Sequence, residues 1–94
     1  MQKKYFVTIN DVRKLRTRAH PLKPVVIIGQ GGLTSGVIDE INLALDHHEL
    51  IKVRVNASDR SNRVELINQI MAETNATPIQ QIGHIATIYR KRQT

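Results

Sequence analysis

The sequence predicts an α/β domain with element order α-β-α-β-α-β-β and a four-stranded mixed sheet. Three observations carry that prediction. Helical spacing of apolar residues recurs in three segments. Two of these, the second and third, each follow a short β-branched run. The last stretch alternates around Gly83-His84, where a tight hairpin is expected. Two right-handed crossovers between parallel strands and a final hairpin then account for the whole chain. With 94 residues, the chain has room for one core and no second site-bearing domain. Residues 1–94 are read as one domain with its core at about 8–91 and flexible ends at 1–7 and 92–94.

Thr8 and Asp11 form a candidate capping box for the first helix, whose apolar face is Ile9, Val12, Leu15 and Ala19. Arg13, Lys14 and Arg18 fall on the opposite side, with Arg16 at the margin. Pro21 and Pro24 end this helix, because proline cannot continue the hydrogen-bond ladder. Val25, Val26, Ile27 and Ile28 are apolar on both alternating faces, which predicts a strand covered on both sides, with the first helix as the candidate second cover. Thr34 or Ser35 caps the second helix, on which Val37, Ile41, Ala44, Leu45 and His48 lie close together on one face with Ile38 beside them. Residues 50–56 alternate: Ile51, Val53 and Val55 face the core, and Lys52 and Arg54 face solvent. The third helix begins near Asp59, carries Val64, Ile67, Ile70, Met71 and Thr74 as its stripe, and stops at a left-handed Asn75. Pro78 belongs at the start or the edge of the next strand.

Composition narrows the chemistry. There is no cysteine, which removes disulfides, thiol catalysis and thiolate metal sites. Aromatic residues are 3% of the chain, so the core must be aliphatic and no aromatic base-stacking platform is available. No run approaches a membrane span and no signal-peptide pattern opens the chain, so a cytoplasmic protein is expected. The formal net charge of +6 points to a polyanion. The cations fall into blocks: residues 1–24 and 52–63, with Arg90, Lys91 and Arg92 at the end, while 25–51 carry acids and no Lys or Arg.

The chemistry centres on Gly29-Gln30-Gly31-Gly32-Leu33-Thr34, a glycine turn between a strand and a helix start. Bare N–H groups at the positive end of a helix dipole favour a phosphate. A dinucleotide fingerprint fails because Thr34 stands where its third glycine belongs, and a P-loop fails because no Gly-Lys-Ser/Thr follows. Gly32-Leu33-Thr34-Ser35-Gly36 has the outline of a nucleophile elbow but no room for its partners. His47 and His48 are adjacent and so diverge on a helix, and no metal-ligand spacing or cofactor site is found. What fits is G-x-x-G, Gly29 to Gly32, which lets a nucleic-acid backbone approach main-chain donors. The alternative is that any tight strand-to-helix turn favours glycine.

Ala19-His20-Pro21-Leu22-Lys23-Pro24-Val25-Val26, then Gly29 to Val37 with its G-x-x-G, then His48-Glu49-Leu50-Ile51-Lys52-Val53, together resemble the CRM domain (chloroplast RNA splicing and ribosome maturation) in its stand-alone bacterial YhbY form. The resemblance implies an RNA-binding fold similar to the C-terminal domain of translation initiation factor three. It also implies association with ribosomal RNA in large-subunit precursors and RNA contact through Gly29, Gln30, Gly31 and Gly32. The variable loop positions, Gln30 and Gly31, carry no cation here, so flanking Lys23, Lys52 or Arg54 must supply charge. The expected RNA-binding set is that loop with Thr34, Lys23, Lys52, Arg54, Arg13, Lys14 and Arg18. The expected function is non-catalytic ribosomal RNA binding by a monomer that takes no small-molecule substrate; the alternative is a module that docks on an acidic protein.

Overall fold

The computed structural model describes residues 8–29 and 31–92. The arm expected at residues 1–7, Gln30 and the last two residues lie outside that description. Seven elements follow the expected order: α1 (Ile9–Ala19), β1 (Pro24–Ile28), α2 (Ser35–His48), β2 (Leu50–Val55), α3 (Arg60–Thr74), β3 (Thr77–Ile82) and β4 (Ile85–Tyr89). The sheet order is β1-β2-β4-β3, with β1 parallel to β2 and the other pairs antiparallel. β1 and β3 are therefore the edges, and Pro78 sits on an edge strand beside a register shift.

Local chemistry sets most helix ends. Thr8 accepts from the Asp11 backbone N–H, and the Asp11 carboxylate accepts from the Thr8 N–H, so two donors without intrahelical partners are satisfied together. The Thr8 backbone and hydroxyl donors hold the Asp11 carboxyl below its ordinary value. Thr34 caps α2 through the Val37 N–H, Asp59 caps α3 through the Ser61 N–H, and Asn75 ends α3 at φ 59°. Glu49, between α2 and β2, also adopts a positive φ, 62°. That conformation costs a non-glycine residue energy. Three contacts hold it: the Glu49 N–H donates to the Leu45 carbonyl, its carbonyl accepts from the Arg90 N–H, and its carboxylate accepts from the Arg92 N–H.

The main core lies between one face of the sheet and the pair α2 and α3. Val26, Ile28, Ile51, Val53 and Val55 meet Ile41, Leu45, Ile67 and Ile70 there. Lys52 and Arg54 alternate onto the other face, where a smaller cluster joins Leu15 and Ala19 of α1 to Leu50 and Ile79. Here the expectation for 25–28 fails. Helix α1 packs over β2 and β3, not over β1, so Val25 and Ile27 are 52% and 60% exposed and, among the described residues, β1 is covered on one face only. A β-branched run reads the same whether its second face is covered or open. Ile9, expected on the apolar face of α1, is 73% exposed, because the first turn overhangs the sheet contact made by Leu15 and Ala19.

Candidate nucleic-acid interface

The glycine turn sits at the C-terminal end of β1 and leads into α2. Gly32 has φ +74° and donates its N–H to the Gly29 carbonyl at 3.1 Å, which closes the turn. A side chain at Gly32 is therefore strained by the backbone itself. Gly29 and Gly31 are different. Neither adopts the left-handed φ that Gly32 does, and a Cβ at either meets nothing within 4 Å. Packing among the described residues gives no reason for glycine at 29 or 31. Gly31→Ala should leave the melting temperature unchanged or raise it slightly, since a compatible Gly→Ala exchange stabilises by about 0.4–1 kcal/mol. Gly32→Ala should lower it by a comparable amount, as thermal denaturation of the two variants will show.

The first turn of α2 carries no acidic residue, in contrast to Asp11 in α1, so the positive end of this 14-residue helix is not neutralised from within. Thr34 spends its oxygen as the cap acceptor for Val37 and still has its hydroxyl proton to donate. The connection after β2 is tied to the same end of the sheet, because the Asn56 N–H donates to the Ile28 carbonyl at 2.9 Å. That connection leads to Arg60, an exposed cation at the start of α3. Arg60 belonged to a basic block visible in the sequence, but only the Asn56 contact reveals which end of the sheet it marks.

The expected cations separate on inspection. Arg54 pairs in register with Ile27, two residues before Gly29, and donates to Asn56 Oδ1, so it stands nearest the turn. Lys52 pairs with Pro24 at the other end of β1. Its ammonium donates to the carbonyls of Leu22 at 3.0 Å and His20 at 3.5 Å, so it fastens the α1–β1 connection. Lys23 also lies at that far end, about 20 Å from the turn by strand rise. Arg13, Lys14 and Arg18 are exposed along the outer side of α1, as expected, while Arg16 donates to the Ile79 carbonyl. The tail block is structural. Arg90 donates to Asn42, Thr74 and Asp46, and Arg92 to the carbonyls of Asp46 and His47. Acidic Asp39, Glu40 and Asp46 are exposed on α2, in the layer opposite α1. A polyanion thus meets favourable charge on the α1 side of the sheet and unfavourable charge on the α2 side.

Among the described residues no group of His, Asp or Glu is arranged to hold a metal ion, and no helix is long and apolar enough to cross a membrane.

Residues 7–90 match the model of the CRS1 / YhbY (CRM) domain family. The chain is 53% identical over 76 residues to an RNA-binding protein of Haemophilus influenzae, covering 81% of this chain and 77% of that one. It is 38% identical over 85 residues to a probable RNA-binding protein of Pseudomonas aeruginosa, covering 90% and 82% of the two chains. Its fold matches the solution structure of a Staphylococcus aureus protein described there as a candidate RNA binder. The TM-score is 0.82 and the identity 32%, over 95% of this chain and 93% of the other.

Proposed function

The chain belongs to the CRS1/YhbY (CRM) domain family, and from that membership together with the open glycine turn we propose that it is an RNA-binding protein. The finer reading is that it binds ribosomal RNA non-catalytically, as a monomer, during assembly of the large ribosomal subunit. One observation supports the glycine turn as the place of RNA contact. Gly29 and Gly31 stand open to solvent at the un-neutralised N-terminus of α2, and Arg54 lies on the neighbouring strand in register with Ile27. Main-chain donors at such a turn fit phosphate oxygens and are indifferent to base identity. The relatives' names support RNA as the polyanion.

Affinity then comes mainly from phosphate contacts. Arg13, Lys14, Arg18, Lys23 and Arg54 are the cations placed to make them, with Gly29, Gln30, Gly31, Gly32 and Thr34 fixing the backbone. Lys52 adds its charge while its ammonium stays on the two carbonyls. If about five phosphates of a single strand are neutralised, log affinity falls against log salt with a slope near −3.5. A titration with almost no slope removes the electrostatic account.

Sucrose-gradient fractionation of cell lysate at low salt tests the ribosomal part. Co-sedimentation with large-subunit precursors, abolished by nuclease, is the expected result. A position at the top of the gradient refutes it.

A further inference from the structure

A groove of about 540 Å³ lies at the end of β1 opposite the glycine turn. Leu22, Pro24, Val25 and Leu50 give it apolar walls, and Arg18, Lys23 and His48 are its polar members. Among the described residues no carboxylate lines it. Two features of the fold keep it open. The Lys52 ammonium fastens the α1–β1 connection through the Leu22 and His20 carbonyls, which fixes the wall that carries Leu22 and Lys23. The pairing of β1 with β2 shifts register between Pro24 and Val26, so Val25 drops out of the ladder and stays half exposed. Between groove and turn runs β1 itself, an edge strand whose Ile27 is also open.

A phosphate alone needs the cations but not the apolar walls. A greasy peptide needs the walls but not Arg18 and Lys23. A nucleotide needs both, because it presents a flat, weakly polar ring beside a charged phosphate. The volume falls within the range of about 300–1,000 Å³ typical of sites for such groups. A paired base is buried in its helix and cannot enter. We propose that this groove receives the base of an unpaired nucleotide, so that RNA held by the glycine turn runs single-stranded along β1 to reach it. The proposal rests on the RNA-binding reading above and adds the class of RNA and a second contact. With aliphatic walls and no aromatic platform, the groove accepts any base with little preference.

Fluorescence anisotropy on the unaltered chain tests it, using a labelled RNA of about eight nucleotides, the same strand annealed to its complement, and the same strand made abasic throughout. The single strand should bind at least about tenfold more tightly than either the duplex or the abasic strand. In the double variant Leu22→Ser with Val25→Ser, checked for folding by circular dichroism, the difference between the intact and abasic strands should vanish. An abasic strand or a duplex bound as tightly as the intact single strand, or a loss on base removal that persists in the variant, overturns the groove while leaving RNA binding in place. Failure to bind either form overturns the RNA reading itself.

Discussion

Arg90→Met should lower the stability of the domain by about 3 kcal/mol, and its melting temperature by roughly 10–25 °C. The guanidinium is 23% exposed and donates four hydrogen bonds: Nη1 to Asn42 Oδ1 at 2.7 Å and the Thr74 carbonyl at 2.8 Å, and Nη2 to the Asn42 carbonyl at 3.1 Å and Asp46 Oδ1 at 2.8 Å. Thr74 is the last residue of α3, so its carbonyl has no intrahelical donor and sits at the negative end of a helix dipole. Arg92 serves the end of α2 in the same way through the carbonyls of Asp46 and His47. The tail is thus a shared C-terminal cap for both core helices. The ion pair with Asp46 is the lesser part, since that carboxylate is 68% exposed and solvent screens it. Asp46→Asn should therefore cost under about 1 kcal/mol. Equal losses for the two variants in urea denaturation would show that the ion pair dominates, contrary to this account.

That tail marks the boundary of what the sequence discloses. Arg90, Lys91 and Arg92 read as one more basic block because their charge is visible and their partners are not: the acceptors of Arg90 and Arg92 lie at residues 42–49 and 74, brought near only by the strand that precedes the tail. Lys52 shows the same limit, since period-two alternation assigns its face correctly but cannot reveal two carbonyls about 30 residues away. Features whose physics is local were legible. The Thr8–Asp11 box, the Asn75 stop and the Gly83-His84 hairpin each depend on a few adjacent residues. The element order and the family followed from periodicity and three matching segments. The bare face of β1 was not legible, because whether a helix covers Val25 and Ile27 is decided by where α1 docks, on Leu50 and Ile79. The glycine turn could be found from sequence, but the distinction inside it could not. Gly32 is required by its φ, whereas Gly29 and Gly31 have open space above them.

That distinction makes the loop the most informative place to perturb RNA binding. Replacing Gln30 and Gly31 together by aspartate should weaken binding about thirtyfold at low salt, close to 2 kcal/mol, with the fold intact. The effect is electrostatic. Two carboxylates enter a turn where phosphate is expected to meet backbone N–H groups, and each unit repulsion at contact distance in near-aqueous surroundings is worth about 1 kcal/mol. Stability should change little, because a Cβ at Gly31 meets no neighbour and its φ is not positive. The loss should shrink as salt rises through the range where the Debye length falls below about 10 Å. Net charge alone cannot mimic it. Asn68→Asp with Gln69→Asp makes the same change on the exposed side of α3, in the layer away from α1, and should cost less than about threefold. Parallel anisotropy titrations of the two pairs decide the matter. If both weaken RNA binding equally, the turn contributes only to overall charge and the phosphate contact must be sought elsewhere; if only the loop pair does, the backbone of the RNA passes over residues 29–32.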